Sequence, residues 1–301
     1  MYRPVFLIGC PRSGTTITLR LMSMHKAFAW VSQYQNRFPG IACTALLHRV
    51  YDLPLVGNRL RLRTQRRLPR ALEPWRFWTT NLRRFRQLAG GPEPPREHRP
   101  EDMTEAELQR VRRIVRGICR WQGKRRFLTK YTEFSRILYM RKAFPDARFV
   151  HIVRDARAVV NSFHEKVHKG QFGNWDERDW WAALFPEPWR GDFYERHHTP
   201  VGLLAYLWKY FVGLIRREAA SLPPEQYTEV RYAKLVRDPL SVLERTLEFC
   251  GLPLTNQFRW CVERTPVSSM DHKWKQRLEA DQKRTIHEIV GEDEFRDLMG
   301  D

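Results

Sequence analysis

The sequence is short of several things, and each shortage narrows its reading. Its five cysteines (Cys10, Cys43, Cys119, Cys250 and Cys261) are odd in number, widely spaced and without a C-x-x-C pair. That pattern argues against a disulfide framework or a zinc ribbon and for reduced, mostly buried thiols. No apolar run approaches the ~18 residues of a membrane span. No signal peptide is visible either, because "MYRPVFLIGC" runs straight into a glycine loop. Metal-ligand spacing and internal repeats are missing too. Acids are scarce beside bases, 34 against 53, which leaves a formal net charge of +19. The partners to expect are anionic: nucleic acid, a membrane surface, or phosphorylated and sulfated small molecules. The expectation is a soluble, cytoplasmic chain, with peripheral contact at an anionic membrane left open.

What is present builds a core. Of 301 residues, 42% are hydrophobic, including 11 Trp and 17 Phe, which excludes general disorder. Residues 4–9 read as a short buried strand and 15–24 as a helix. A second strand is expected at 126–131, with a helix at 135–144. A third strand follows at 148–153, with a helix at 156–167. "QYTEVRY" gives a fourth, followed by a helix with Asp238 as N-cap, Pro239 in its first turn and Gly251 as its stop. Strands alternating with helices predict an α/β fold, three layers around a mostly parallel sheet.

Residues 41–125 interrupt the alternation as a helical, Arg-rich insert in what is expected to be a single domain, 1–301. "GGPEPPREHRP" reads as a loop. Thr104 and Glu107 stand at capping-box spacing before a helix. Residues 49–86 hold 11 Arg and only two acids, with Trp75, Trp78, Leu82 and Phe85 on one helical face. Two readings stand: a helix packed on the domain with a solvated basic face, which is the commoner arrangement, or an interfacial helix touching anionic lipid.

"GCPRSGTT", residues 9–16, has the outline of a phosphate loop between a strand and a helix. Gly9 and Gly14 let backbone N–H groups turn inward, Thr15 and Thr16 add hydroxyls, and the helix N-terminus adds positive potential. Arg12 brings a permanent cation. Thr15 stands where a nucleoside triphosphatase would carry its lysine, so the main clamp for triphosphate hydrolysis is missing.

With "RFVHIVRDARAVVNSF" downstream, the sequence resembles sulfotransferases that use 3′-phosphoadenylyl sulfate (PAPS). "PRSGTT" is similar to their 5′-phosphosulfate loop, with Arg12, Ser13, Gly14, Thr15 and Thr16 as its binding residues. The downstream segment looks like their 3′-phosphate signature, with Arg154 at the strand end and Ser162 eight residues later. "VRYAKLVRDP" resembles the stretch that places a tyrosine, here Tyr232, near the adenine, although Ala233 replaces the usual acid. "FLTKYTEFSRIL" resembles the strand with an active-site lysine, here Lys130. "HKWKQRL" looks like the closing basic segment, whose Lys273 or Lys275 is a candidate for the nucleotide; the glycine-rich version is absent.

The resemblance implies a P-loop-like core. It also implies in-line transfer of a sulfuryl group from PAPS to a hydroxyl or amine, leaving adenosine 3′,5′-bisphosphate (PAP), with no metal. Arg12 and Lys130 would stabilise the transferring group. A base is needed. Small-molecule enzymes of this type carry a histidine two residues after the strand lysine; here Thr132 stands there, and Glu133 follows as leading candidate. A helix N-terminal acid is the bland reading of Glu133. His25, His164 and His168 read as structural. The insert would cap an acceptor site for a small molecule, a carbohydrate or a lipid-linked sugar, a carbohydrate or glycolipid being the leaning. Two rivals remain: a P-loop nucleotide kinase or NTPase with Asp155 on magnesium, and a basic nucleic-acid-binding protein, for which no specific motif appears.

Overall fold

The computed structural model describes residues 3–53, 56–62, 67–85, 97–169 and 181–299. Its centre is a five-stranded sheet: β1 (Val5–Ile8), β2 (Phe28–Trp30), β3 (Arg126–Lys130), β4 (Arg148–Val153) and β5 (Tyr227–Arg231). The strand order is β2-β3-β1-β4-β5, and every pairing is parallel. Parallel strands are covered on both faces, which is why β1 reads as the unbroken apolar run "VFLI".

Side chains alternate between two cores. Val5 and Leu7 join Leu19, Met22, Leu243 and Phe258 on one face. Phe6 and Ile8 join Trp78, Val115, Ile118 and Phe149 on the other. A third cluster gathers along the twenty-residue helix Pro200–Ala219, with Val160, Trp208 and Ile286 inside it. The result is the three-layer α/β/α arrangement.

Local signals act as their chemistry requires. Asp238 caps the helix Pro239–Phe249 by accepting from the Ser241 amide at 3.1 Å, and Gly251 beyond its end has φ 66°. Thr104 and Glu107 form the reciprocal capping box of Glu105–Gln122. One boundary moves. The helix expected from Ser135 begins at Ile137, because Glu133 (φ 77°) and Arg136 (φ 50°) take left-handed turns before it. The buried Arg136 guanidinium holds that turn by donating to the carbonyls of Thr132 (3.0 Å) and Phe134 (3.2 Å).

The aromatic face in the insert lies inward. Phe77, Trp78, Leu82 and Phe85 are all completely buried, with Trp78 edge-on to Phe77 at 5.0 Å. The helix spans Trp75–Asn81, Leu82 and Phe85 follow it, and Trp75 is half-buried against the same core, so the expected stripe packs on the domain, the first of the two readings. The stretch 86–96, which holds most of the expected Pro/Gly loop, lies outside the described residues. Among those described, no helix is long and apolar enough to cross a membrane.

Candidate active site

The strand order reverses at β1, whose neighbours β3 and β4 carry the chain away on opposite sides. Ligands of open α/β sheets bind at that crevice, beyond the carboxyl ends of the strands. The loop 9–16 follows β1 there and opens helix α1 (Thr15–Met22). Arg12 has φ 71° and Gly14 φ 99°. Gly14 is required twice over, since a Cβ at that position would lie 2.2 Å from Cδ2 of Tyr232. As N-cap, Gly14 supplies no side-chain bond, so the first amides of α1 are left to a ligand. Ser13 Oγ is buried beside Gly9 and has no partner among the described residues. A cradle with an orphaned hydroxyl and open amides suits an anion.

Cations converge on it from three strand ends. Lys130, at the end of β3, donates to Thr15 Oγ1 (3.2 Å) and Thr16 Oγ1 (3.0 Å) and pairs with Glu73 at 2.7 Å. Glu73 also accepts from Thr132 Oγ1 at 2.7 Å. Arg12 Nε donates to Ser162 Oγ at 2.9 Å. Arg154, just past β4, donates to the Arg12 carbonyl (2.9 Å) and to Asp271 Oδ1 (2.7 Å). Its guanidinium lies 4.5 Å over the Tyr232 ring. Burial lowers the Arg12 pKa, and the nearby positive charge of Arg154 lowers it further.

A cleft of about 310 Å³ opens beside this cluster, bordered by Arg154, Arg157, Arg231, Tyr232, Trp274 and Lys275 among others. Lys275 therefore reaches the cleft from the closing basic segment. Arg157 stacks 4.2 Å over Trp274. Burial raises the Tyr232 pKa, so the ring is a neutral, flat wall.

The loop, Lys130, Arg154, Ser162 and Tyr232 are brought together. Ser162 is held by Arg12, and Arg154 by Asp271, the two being linked through Arg12, whose carbonyl accepts from Arg154. Glu133 follows Thr132 on the turn before the helix Ile137–Ala143. It lies 3.9 Å from Arg136, and its charge adds to burial in pushing up the Cys10 thiol of the loop. His25 is tied locally, accepting from the Ala27 amide and reaching the Pro253 carbonyl at 3.1 Å. His164 lies half-buried on the helix Ala156–His168, and the His168 side chain lies outside the described residues. Asp155, the magnesium ligand of the kinase reading, caps that helix through the Arg157 amide (2.8 Å) and pairs with the Arg157 guanidinium (2.6 Å).

Sequence reasoning missed Glu73, Arg231, Asp271 and Trp274. A signal existed for Glu73, one of two acids among eleven arginines in residues 49–86. Both acids are employed, the other being Asp52, which pairs with Arg61 and Lys124.

Comparison with known proteins gives a consistent result. The profile of the Sulfotransferase family matches residues 4–256. An uncharacterized protein of Aquifex aeolicus (strain VF5) is 22% identical over 261 residues, covering 83% of this chain and 26% of that protein. The chain thus spans about a quarter of that relative's length. Sulfotransferase STF9 from Mycobacterium avium has 16% identity and a TM-score of 0.55, over 99% of this chain and 77% of that one. Sulfotransferase STF1 from Mycobacterium tuberculosis H37Rv has 16% identity and a TM-score of 0.53, over 96% and 76%. At such identities the likeness shows a shared fold.

Proposed function

The chain belongs to the sulfotransferase family, and from that premise we propose that it moves the sulfuryl group of PAPS to a hydroxyl or amine, releasing PAP. The observation that supports this most is the meeting of Arg12 and Arg154 at the N-terminus of α1, with Lys130 on the opposite flank. Two mutually repelling guanidinium groups gain most from an anion placed between them.

In the proposed reaction the acceptor oxygen bonds to sulfur as the bond from sulfur to the bridging oxygen breaks. Arg12 and the first amides of α1 meet the charge that grows on the bridging oxygen. Lys130 steadies the sulfuryl oxygens. The acceptor proton goes to a carboxylate, and Glu73 is favoured because it already touches Lys130 and Thr132. A second reading gives that role to Glu133, whose left-handed backbone is the kind of local strain that functional sites retain. Arg154 and Ser162 would share the 3′-phosphate, with Tyr232 beside the adenine.

Glu73 also supports the insert as a cap over the acceptor in a single domain, since residues 41–125 supply a group of the site itself. A small-molecule, carbohydrate or lipid-linked acceptor is our reading of that cap. Five free thiols suit a reducing, cytoplasmic setting.

Calorimetry with PAP tests the proposal, together with transfer assays using labelled PAPS. Saturable PAP binding that Arg154→Ala weakens is the expected result. Absence of PAP affinity in the folded chain, with magnesium-dependent ATP turnover instead, would overturn it for the kinase reading.

A further inference from the structure

A second cavity, of about 200 Å³, lies on the other side of the loop from the nucleotide-sized cleft. Thr16, Arg20, Trp30, Tyr51, Arg61 and Arg70 border it. The first cleft sits by β4 and β5, whereas this one sits by β2, so the loop separates them. Thr16, Arg20 and Ser23 lie along one face of the helical turns that start at the loop, so the cavity runs beside α1. At its loop end stands Thr16 Oγ1, the atom that Lys130 touches, and Lys130 in turn holds Glu73. An acceptor seated here would enter from the side opposite the nucleotide, as in-line displacement requires.

The walls are flat and apolar while the charge is positive. Trp30 and Tyr51 are almost fully buried, with ring centroids 6.2 Å apart. The side chains of Arg20 and Arg70 have no acidic partner among the described residues. The Arg61 side chain is only 6% exposed, and its Nε is buried without a partner. Its one carboxylate among the described residues, Asp52 at 3.3 Å, is held more closely by Lys124 at 2.7 Å. Three guanidinium groups and one shared acid leave a net positive lining. Burial, with the charges of Arg61 and Lys124 added, drives the neighbouring His48 pKa down to about 3.

We propose that this cavity holds the acceptor, and that the acceptor is a ring alcohol or phenol carrying an anionic group of its own. The inference rests on the sulfotransferase reading and narrows it. Trp30 and Tyr51 would grip the ring, Arg20, Arg61 and Arg70 the anion, and the hydroxyl would face Thr16. The volume suits one ring with its substituents better than an extended glycan.

Matched probes test it on the full chain, with PAP or PAPS present. One pair is 4-hydroxyphenylacetate and 4-hydroxyphenethyl alcohol; the other is methyl glucuronide and methyl glucoside. The expected result is that the anionic member of at least one pair binds, and is sulfated, about tenfold better than its neutral twin, the value of one charge-assisted contact. The pair that responds tells an aryl acceptor from a sugar. The double variant Arg20→Met, Arg70→Met should erase the preference and leave PAP affinity unchanged. Equal use of the twins, a preference that survives in the double variant, or no binding of any probe to PAP-loaded protein would each overturn the cavity assignment and leave the sulfotransferase reading standing. Loss of PAP binding in the unaltered chain would overturn both.

Discussion

Arg154 donates to Asp271 over 2.7 Å, so a carboxylate already sits where a phosphate of the donor would be expected to bind. An incoming phosphate must displace it. Asp271→Asn should therefore tighten PAP binding by about threefold to tenfold, whereas Arg154→Ala should weaken it about a hundredfold. Calorimetry at fixed ionic strength reads both. Weaker binding in the asparagine variant would mean that Asp271 positions the guanidinium and does not compete with the phosphate.

The two candidate bases separate by turnover. Glu73→Gln should lower kcat about a hundredfold while PAP affinity stays within about twofold, the pattern of a lost proton acceptor. Glu133→Gln is the comparison. If the larger loss of kcat appears there, the base is Glu133, and Glu73 serves to hold Lys130.

Gly14→Ala should destabilise the chain by about 2–4 kcal/mol, combining a backbone at φ 99° with a Cβ placed 2.2 Å from the Tyr232 ring. Adding Tyr232→Ala to that variant removes the collision and leaves the backbone strain. Urea midpoints of the single and double variants measure the two parts. Identical midpoints would show that the ring yields freely.

Acid should weaken the fold earlier than its carboxylates alone would cause. Burial lowers the pKa of His25, His48 and His151, that of His48 to about 3. Unfolded histidine titrates near ~6.5, so below that pH the unfolded chain takes up protons that the folded chain refuses. Stability is full above that point and falls as pH drops, for His48 down to about 3, with a limiting slope of about 1.4 kcal/mol per pH unit for each group. Urea midpoints at falling pH check this, and His48→Leu should flatten part of the slope. A midpoint constant between neutrality and pH ~5 would contradict it.

The sheet was largely legible because β1 is an unbroken apolar run and β3 and β4 carry apolar residues between polar ends or turns. β4 begins and ends where expected. β2 was not seen, since Phe28–Trp30 is too short to show a period. Pro200–Ala219 escaped for the opposite reason: it is buried on nearly every side, so no polar stripe marks it as a helix. In the site, residues close to a strand end could be placed by reading, as with Lys130 and Arg154. Glu73 and Asp271 could not, because their partners lie 59 and 117 residues away and only the packing of the insert and the C-terminal segment brings them in.

The three cations of the loop differ in their companions: Arg154 and Lys130 each hold a carboxylate, and Arg12 a neutral hydroxyl. A solute with a single negative end meets one undiminished charge and must evict an acid to reach another. A molecule bearing anions at both ends of one ribose can carry out both evictions together. Such pairing would make the site, despite the formal +19, a poor trap for solutes with one phosphate.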